Sequence, residues 1–178
     1  HGKPTDINAH PHHDTTNKIS IVHNGIVENY YSIKKYLSSN DYTFKSETDT
    51  EVLVQLISHI YKTQKNDFSE SVRTALNEII GAYGIVLMCS DEPDKIIAAR
   101  LGSPLIIGIG DNEFFVASDS SPIIEHTRDI IVLDEGEMAI ISKNGYEIRK
   151  IDNNNIVTKE IEKIEHSIEE IQKGEFDH

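Results

Sequence analysis

The 178 residues include 30 acidic and 17 basic side chains, which give a formal net charge of −13, and 38% of them are hydrophobic. This length and composition are typical of one globular domain with a sizeable core. The acidity argues against nucleic acid and anionic membranes as partners, because both bind to basic patches. No apolar stretch approaches the ~20 residues that span a bilayer, and we expect no signal peptide. The single cysteine, Cys89, excludes an intrachain disulfide and favours a reducing, cytoplasmic location.

The first 18 residues are polar and contain prolines and several histidines, which is typical of a loop. The run His10-Pro11-His12 offers a metal-site interpretation. No acidic or cysteine partner stands at ligand spacing, so we interpret these histidines as solvated and predict no metal and no cofactor. Residues 1–4 resemble the middle of a loop, and residues 174–178 carry no terminating signal. We therefore expect the chain to be part of a longer protein.

An Asn-Gly pair, Asn24-Gly25, interrupts the apolar run that begins at Ile19. Asn-Gly between apolar residues is the strongest short-range signal for a hairpin turn, because both residues tolerate positive φ. It predicts a strand over 19–23 that ends in a turn. The alternative is that the Asn amide and the Gly N–H lie side by side on this turn as an oxyanion hole. These residues alone leave both interpretations open.

Helical periodicity predicts three helices before residue 81, at about 29–39, 49–63 and 69–80. Thr48 and Glu51 form a capping box at the start of the second helix. The third helix is capped by Ser69 or by Asp67. If Thr48 and Glu51 supply the cap, the carboxylate of Asp49 is free to face a ligand ammonium. The alternative for Asp49 is a simple preference for the positive end of the helix dipole.

From Gly81 onward, short β-rich runs are separated by turn residues, at 82–88, 96–99, 105–109, 114–117, 130–133, 138–141 and 146–148. Strands spaced so closely pair antiparallel through hairpins, because parallel crossovers need a dozen or more residues. A charged helix is predicted over 159–173. Helices followed by antiparallel strands predict an α+β fold with helices layered on sheet. Cys89 ends an apolar strand with no nearby histidine, so we interpret it as a small buried hydrophobe and not as a nucleophile.

Six short motifs occur in order along the chain: GKPTDINAH at 2–10, HNGIVEN at 23–29, SETDTE at 46–51, GAYG at 81–84, RLGSPL at 100–105 and ASDSSPIIEHT at 117–127. Together they resemble the glutaminase domain of the glutamine–fructose-6-phosphate aminotransferase family, a class II glutamine amidotransferase of the N-terminal-nucleophile hydrolase superfamily. The resemblance covers essentially the whole chain. It implies an αββα four-layer sandwich with two antiparallel sheets, incomplete at the N-terminus.

The resemblance also implies roles for individual residues. Asn24 and Gly25 match the family's oxyanion hole. Asp49 matches the carboxylate that holds the α-ammonium of L-glutamine. The residues that line or adjoin the glutamine site are implied to be His1, Gly2 and His10.

The family's nucleophile is an N-terminal cysteine whose α-amino group acts as the base. The resemblance places that cysteine about 75 residues upstream of this chain, and Cys89 does not match it. Residues 172–178 resemble the segment that leads into sugar-isomerase domains, which bind fructose 6-phosphate and make glucosamine 6-phosphate. The implied partners are therefore glutamine, those domains of the same parent chain, and further copies in a homo-oligomer.

In this hypothesis residues 1–178 are part of an ammonia-supplying glutaminase domain and are inactive by themselves. Three alternatives stay open at this point. In the first, the chain is a non-catalytic module that binds glutamine or docks a partner. In the second it is a subunit completed by a separate N-terminal polypeptide, and in the third it is part of a different class II amidotransferase.

Overall fold

A seven-stranded antiparallel sheet carries three helices on one face and packs a four-stranded antiparallel sheet on the other. The computed structural model describes residues 2–164. The helices are α1 Tyr30–Ser38, α2 Asp49–Gln64 and α3 Phe68–Asn77. The larger sheet has the order β1-β2-β3-β4-β8-β9-β10 and the smaller one the order β11-β7-β5-β6. The strands are β1 His12–His13, β2 Ile19–Val27, β3 Gly81–Cys89, β4 Lys95–Leu101, β5 Ile106–Ile109, β6 Phe114–Ala117, β7 Asp129–Val132, β8 Glu137–Ser142, β9 Gly145–Lys150, β10 Ile156–Val157 and β11 Glu162–Lys163.

Side-chain alternation along β2 decides which face of the larger sheet meets the helices. Ile19, Ile21, His23 and Val27 are buried toward α2, whereas the side chains at 20, 22, 24 and 26 point to the opposite face. The core between helices and sheet is continuous and apolar. This alternation brings His23, a polar residue, into the buried layer beside the start of α2.

A second core lies between the two sheets and a third covers the outer face of the smaller one. The middle core contains Ala98 and Ala139 from the larger sheet with Ile107 and Ile131 from the smaller one. Among the described residues, the outer face of the smaller sheet is covered by the turn over 120–127 and by Ile164.

The predicted hairpin turn at Asn24-Gly25 is wrong. Strand β2 runs through this pair without interruption, with Asn24 opposite Gly84 and Gly25 opposite Tyr83. Pairing with β3 over the whole length of β2 outweighs the local turn preference of Asn-Gly.

The prediction of a helix over 159–173 is wrong where the structure describes it. Glu162–Lys163 form strand β11, which pairs with β7, and Ile164 packs against the outer face of the smaller sheet. Residues 165–173 lie outside the described part of the chain. The cap of α3 is Asp67, whose side chain accepts a hydrogen bond from the Glu70 N–H.

Candidate active site

Gly25 occupies a backbone position that no other residue fits. Its φ is +143°, and a Cβ there would lie 2.1 Å from the Ala82 carbonyl oxygen. Gly81 is its counterpart on β3, with φ +139° and a Cβ position 2.1 Å from the Ile26 carbonyl oxygen. The two strands therefore approach each other through a pair of glycines, and main chain occupies the space that side chains would need.

The Gly25 N–H is directed toward the edge of β2 that faces away from β3. In an antiparallel strand, residues two apart present their N–H groups to the same edge. The Val27 N–H points away from β3, because it donates to Asp49 Oδ2 at 2.7 Å. Strand β1 pairs only with Ser20 and Ile21, so it does not reach this part of the edge. Gly25 thus presents a backbone donor at the same edge as Asp49.

Asn24 lies on the face of the larger sheet opposite the helices and is exposed. Within residues 2–164 its side chain makes no hydrogen bond, so its carboxamide is free to donate to a ligand. Apolar neighbours on the same face are also exposed, namely Val22 (42%), Ile26 (61%) and Met88 (50%). We call Val22, Asn24, Ile26 and Met88 the open face.

The first turn of α2 holds Asp49 in place. The Thr48 side chain caps this helix by accepting from the Glu51 N–H, as predicted. The Glu51 carboxylate, however, accepts from the Lys45 and Ser46 N–H groups and does not return to Thr48. Asp49 is not needed for capping. One of its oxygens is bound by Val27, and the other makes no hydrogen bond within the described residues, so it can accept from a ligand.

Two histidines converge on the next residue of this helix. The Thr50 hydroxyl lies 3.3 Å from His10 Nε2 and 3.0 Å from His23 Nδ1. Burial lowers the pKa of both rings and outweighs the Asp49 carboxylate, which acts to raise them. Both rings are therefore neutral at pH 7.

His10 was predicted from the sequence as a site residue, whereas Thr50 and His23 were not. The available signal for His23 was its position in the alternating pattern of β2, where a polar residue takes a core position. Thr50 had no signal of its own beyond its place next to Asp49.

The N-terminal segment meets the start of α2. Gly2 has φ +65°, and a Cβ there would lie 2.6 Å from Asn8 Nδ2 and 3.3 Å from Glu47 Cβ. Asn8 Oδ1 accepts from the Glu47 N–H at 3.1 Å, which fixes the two loops together. Gly2 is thus brought to the loop that precedes Asp49. His1 lies outside the described residues.

Cys89 is remote from this arrangement. It ends β3 opposite Ile19, buried in the core between helices and sheet, and burial raises the pKa of its thiol. Gly84, the partner of Asn24, lies about 17 Å away along the same strand. Cys89 is a small buried hydrophobe, as predicted, and its side chain points away from the open face.

Neither a metal cluster nor a membrane-spanning helix is found in the described part of the chain. Across residues 2–164, no three His, Cys, Asp or Glu side chains converge as metal ligands would. The rings of His10 and His12 pack edge to face, with centroids 5.1 Å apart. None of the described helices is long and apolar enough to cross a bilayer.

Comparison with known proteins identifies the family. Residues 4–125 match the model of a family described as a glutamine amidotransferase domain. The chain belongs to this glutamine amidotransferase family. Among curated relatives, the glutamine–fructose-6-phosphate aminotransferases [isomerizing] of Bacteroides thetaiotaomicron and Chlorobaculum tepidum are 46% and 47% identical to it over 179 residues. These alignments cover 100% of this chain and 29% of each relative, so the chain spans less than a third of their length.

Solved structures of amidotransferases share the fold. A glutamine phosphoribosylpyrophosphate amidotransferase from B. subtilis matches with a TM-score of 0.68 and 26% identity, covering 84% of this chain and 33% of that chain. A class-II glutamine aminotransferase domain protein from Silicibacter pomeroyi matches with a TM-score of 0.60 at 20% identity, covering 79% of this chain and 70% of that chain. The predicted fold class is confirmed, an α+β fold of the N-terminal-nucleophile hydrolase type with two antiparallel sheets.

Proposed function

We propose that this chain is the glutamine-hydrolysing part of a glutamine–fructose-6-phosphate aminotransferase, and that Asn24 and Gly25 form its oxyanion hole. The observation that carries this proposal is the pairing of two donors at one point of β2. Within residues 2–164 the exposed Asn24 carboxamide makes no hydrogen bond, and the adjacent Gly25 N–H is directed to a strand edge that no described strand covers. Preorganised donors of this kind stabilise the negative oxygen of a tetrahedral intermediate.

Asp49 is proposed to bind the α-ammonium of glutamine. Its Oδ2 is held by the Val27 N–H, so the carboxylate cannot turn away, and its other oxygen is available. The position at the helix N-terminus stabilises the ionised carboxylate. Gly2 and His10 approach the same end of α2 from the N-terminal segment and are proposed to line the site. The role assigned to His1 rests on the family resemblance alone.

The nucleophile is proposed to be a thiolate that another part of the longer protein presents to the open face. Cys89 is buried on the opposite side of the sheet, so it cannot serve. Val22, Ile26 and Met88 provide an apolar surface around Asn24 on which further chain can pack. Residues 1–178 are then part of a class II amidotransferase domain, and the sugar-isomerase domains that use fructose 6-phosphate belong to the same longer protein. The homo-oligomer and the cytoplasmic location stay predictions.

The proposed chemistry is acyl transfer. The thiolate attacks the side-chain carbonyl carbon of glutamine, and the oxygen becomes an oxyanion that accepts from Asn24 Nδ2–H and Gly25 N–H. Collapse of this intermediate breaks the C–N bond, and the nitrogen leaves as ammonia after gaining the proton that the cysteine α-amino group took from the thiol. Water then hydrolyses the thioester, which releases glutamate and restores the thiol.

Replacing Asn24 in the full-length protein tests this proposal. Asn24→Ala should lower the kcat of glutaminase activity by about 10²–10³-fold, because one oxyanion donor contributes roughly 2.7–4 kcal/mol to transition-state stabilisation. The KM for glutamine and the thermal unfolding midpoint should change little, since the Asn24 side chain is exposed and makes no hydrogen bond to the part of the chain that the structure describes. Steady-state glutamate release and a thermal melt measure both quantities.

Asn144→Ala is the matched control, because Asn144 is an exposed asparagine of the β8–β9 turn, remote in sequence from β2. It should keep wild-type kinetics. An Asn24→Ala protein with nearly unchanged kcat contradicts the oxyanion role. A wild-type protein that binds glutamine without turnover contradicts the enzyme assignment and favours a glutamine-binding module.

A further inference from the structure

The Thr50 hydroxyl joins three separate parts of the chain. Thr50 is fully buried in the first turn of α2. Its oxygen is within hydrogen-bond distance of His10 of the N-terminal loop and of His23 of β2, and it hydrogen-bonds to no other described side chain. Asp49, the neighbouring residue, is bound to the same strand through Val27. The hydroxyl therefore lies where the loop, the helix and the strand of the candidate site meet.

Counting protons restricts the state of the two rings. A hydroxyl has one proton, so it can donate to only one of the two ring nitrogens, and the other ring must donate its own N–H to the hydroxyl oxygen. The buried His23 Nε2 has no hydrogen-bond partner among the described residues. The Ala82 backbone nevertheless acts to raise the pKa of His23, as a carbonyl that faces a ring N–H does. We assign that proton to Nε2, so that His23 Nδ1 accepts from Thr50 and His10 donates through Nε2.

We propose that Thr50 is a positioning residue whose hydroxyl holds His10 and His23 as neutral rings of fixed tautomer beside Asp49, so that the Asp49 charge stays available for the ammonium of glutamine. This inference rests on the proposed function and adds a residue that acts through its neighbours. Thr50 itself touches no reacting atom.

The charged and titratable groups near Asp49 decide whether its carboxylate stays free for the substrate ammonium. His10 and His23 interact with the Asp49 charge, His12 interacts with both of these rings, and the Glu51 carboxylate interacts with His12. Glu51 is satisfied by the Lys45 and Ser46 backbone, and His12 Nε2 lies 3.1 Å from the Thr48 hydroxyl. A protonated His10 or His23 would instead pair with Asp49 and compete with the substrate ammonium for the same carboxylate.

Two substitutions at Thr50 separate the hydroxyl from the volume of the side chain. Thr50→Val keeps the shape and removes the hydroxyl, whereas Thr50→Ser keeps the hydroxyl. In the full-length protein, Thr50→Val should raise the KM for glutamine about tenfold, which corresponds to the loss of one hydrogen bond, and should leave kcat within about threefold. This rise in KM should grow as the pH falls from about 8 toward 6, where histidine protonates. Thr50→Ser should stay close to wild type.

The measurement is the glutaminase rate against glutamine concentration and pH, with a thermal melt of each variant. Equal impairment by Thr50→Val and Thr50→Ser would assign Thr50 to packing and overturn the proposal, as would a Thr50→Val protein with wild-type KM at every pH. If Thr50→Val does not fold, His10→Gln supplies the second test, because its amide keeps a donor but cannot become a cation. The wild-type KM for glutamine should rise in acid as His10 and His23 protonate, and this rise should be weaker in His10→Gln. A pH profile of KM that is the same in both proteins overturns the proposal.

A wild-type protein without turnover would count against the proposed function and not against this inference. Isothermal titration of glutamine into the same proteins, over the same pH range, then decides the role of Thr50 through Kd in place of KM.

Discussion

Gly25 and Gly145 have nearly the same φ angle in very different surroundings. Their φ angles are +143° and +137°. A Cβ on Gly25 would collide with the Ala82 carbonyl, whereas a Cβ on Gly145 would meet nothing within 4 Å. The pair therefore separates the two costs of replacing a glycine, which are backbone strain and steric collision.

We predict that Gly25→Ala destabilises the protein by more than Gly145→Ala does. Both variants lose the glycine conformation, at a cost on the order of 1–3 kcal/mol. Only Gly25→Ala adds a collision with main chain, which forces β2 and β3 apart. Chemical denaturation of both variants measures the two free energies of unfolding. Equal losses would show that β2 relaxes without cost and would weaken the case for a rigid donor at Gly25.

The residues of the candidate site were predictable to different degrees. The spacing of Thr48 and Glu51 predicts a helix cap in which Asp49 takes no part. The structure confirms the cap at Thr48. The conformation of Asn24-Gly25 was not predictable from its neighbours. The chain contains a second Asn-Gly pair, Asn144-Gly145, which does lie at a hairpin between β8 and β9. Long-range pairing, absent from local sequence, distinguishes the two.

At the scale of elements, the Asp14 carboxylate joins the β1–β2 connection to α2. It is buried and accepts from the Lys18 and Ile19 N–H groups at 2.8 and 3.0 Å, and from the Ser58 hydroxyl of α2 at 2.8 Å. Burial alone would raise the pKa of Asp14, but the hydrogen bonds from Ile19, Thr16 and Ser58 outweigh it and lower the pKa. The ionised form is therefore the one that stabilises the fold.

We predict that Asp14→Asn lowers the free energy of unfolding at pH 7 by roughly 2–3 kcal/mol, because an amide replaces a charged acceptor. The folded-state pKa lies below the unfolded value, so this stabilisation is present above about pH 4 and is lost as the pH falls through the folded-state pKa. The difference between wild type and variant should shrink in acid. Denaturation curves measured across this range test the prediction.

Asp91→Asn is the control for Asp14→Asn. Asp91 pairs with Lys18 at the surface, where solvent screens the interaction, so little change is expected. If both variants lose the same free energy of unfolding, the burial of Asp14 does not increase its contribution to stability.

Helices were more predictable than the C-terminal segment. The periodic apolar residues of α2 indicate its position closely, because one helix carries its own pattern. The Lys- and Glu-rich run from Lys159 also has helical periodicity, yet residues 162–163 pair with β7. A free edge of the smaller sheet competes with local helix preference there, and the sequence of the run does not reveal that edge.

At the scale of the whole molecule, the layers were predictable but the strand order was not. Closely spaced strands indicate hairpins, and in the larger sheet hairpins do connect β3 to β4 and β8 to β9. Strand β4, however, pairs with β8, and the chain between them forms three of the four strands of the smaller sheet. Local spacing limits which strands can form hairpins, but it does not tell when the chain leaves one sheet for another.

The open face gives a prediction for the complete protein. If further chain packs on it, Ile26→Asp should destabilise the full-length protein by roughly 2 kcal/mol, because a charge then replaces a buried side chain. Ile156→Asp is the control, since Ile156 is 65% exposed against 61% for Ile26 but lies on the edge strand β10. Thermal and chemical unfolding of both variants decide the matter. If Ile26→Asp leaves the stability of the full-length protein unchanged, no further chain packs on the open face.

The collision partners of Gly25 and Gly81 have a consequence for how this site can change over evolutionary time. A Cβ at either glycine meets a carbonyl oxygen of the opposite strand, and every residue type carries that oxygen. A Cβ at Gly2, by contrast, meets the Asn8 side chain, which a second mutation can shorten. No second-site change of side chain can therefore compensate for a substitution at Gly25 or Gly81. A lineage that loses either glycine therefore restores the original strand geometry most directly by reverting the substitution.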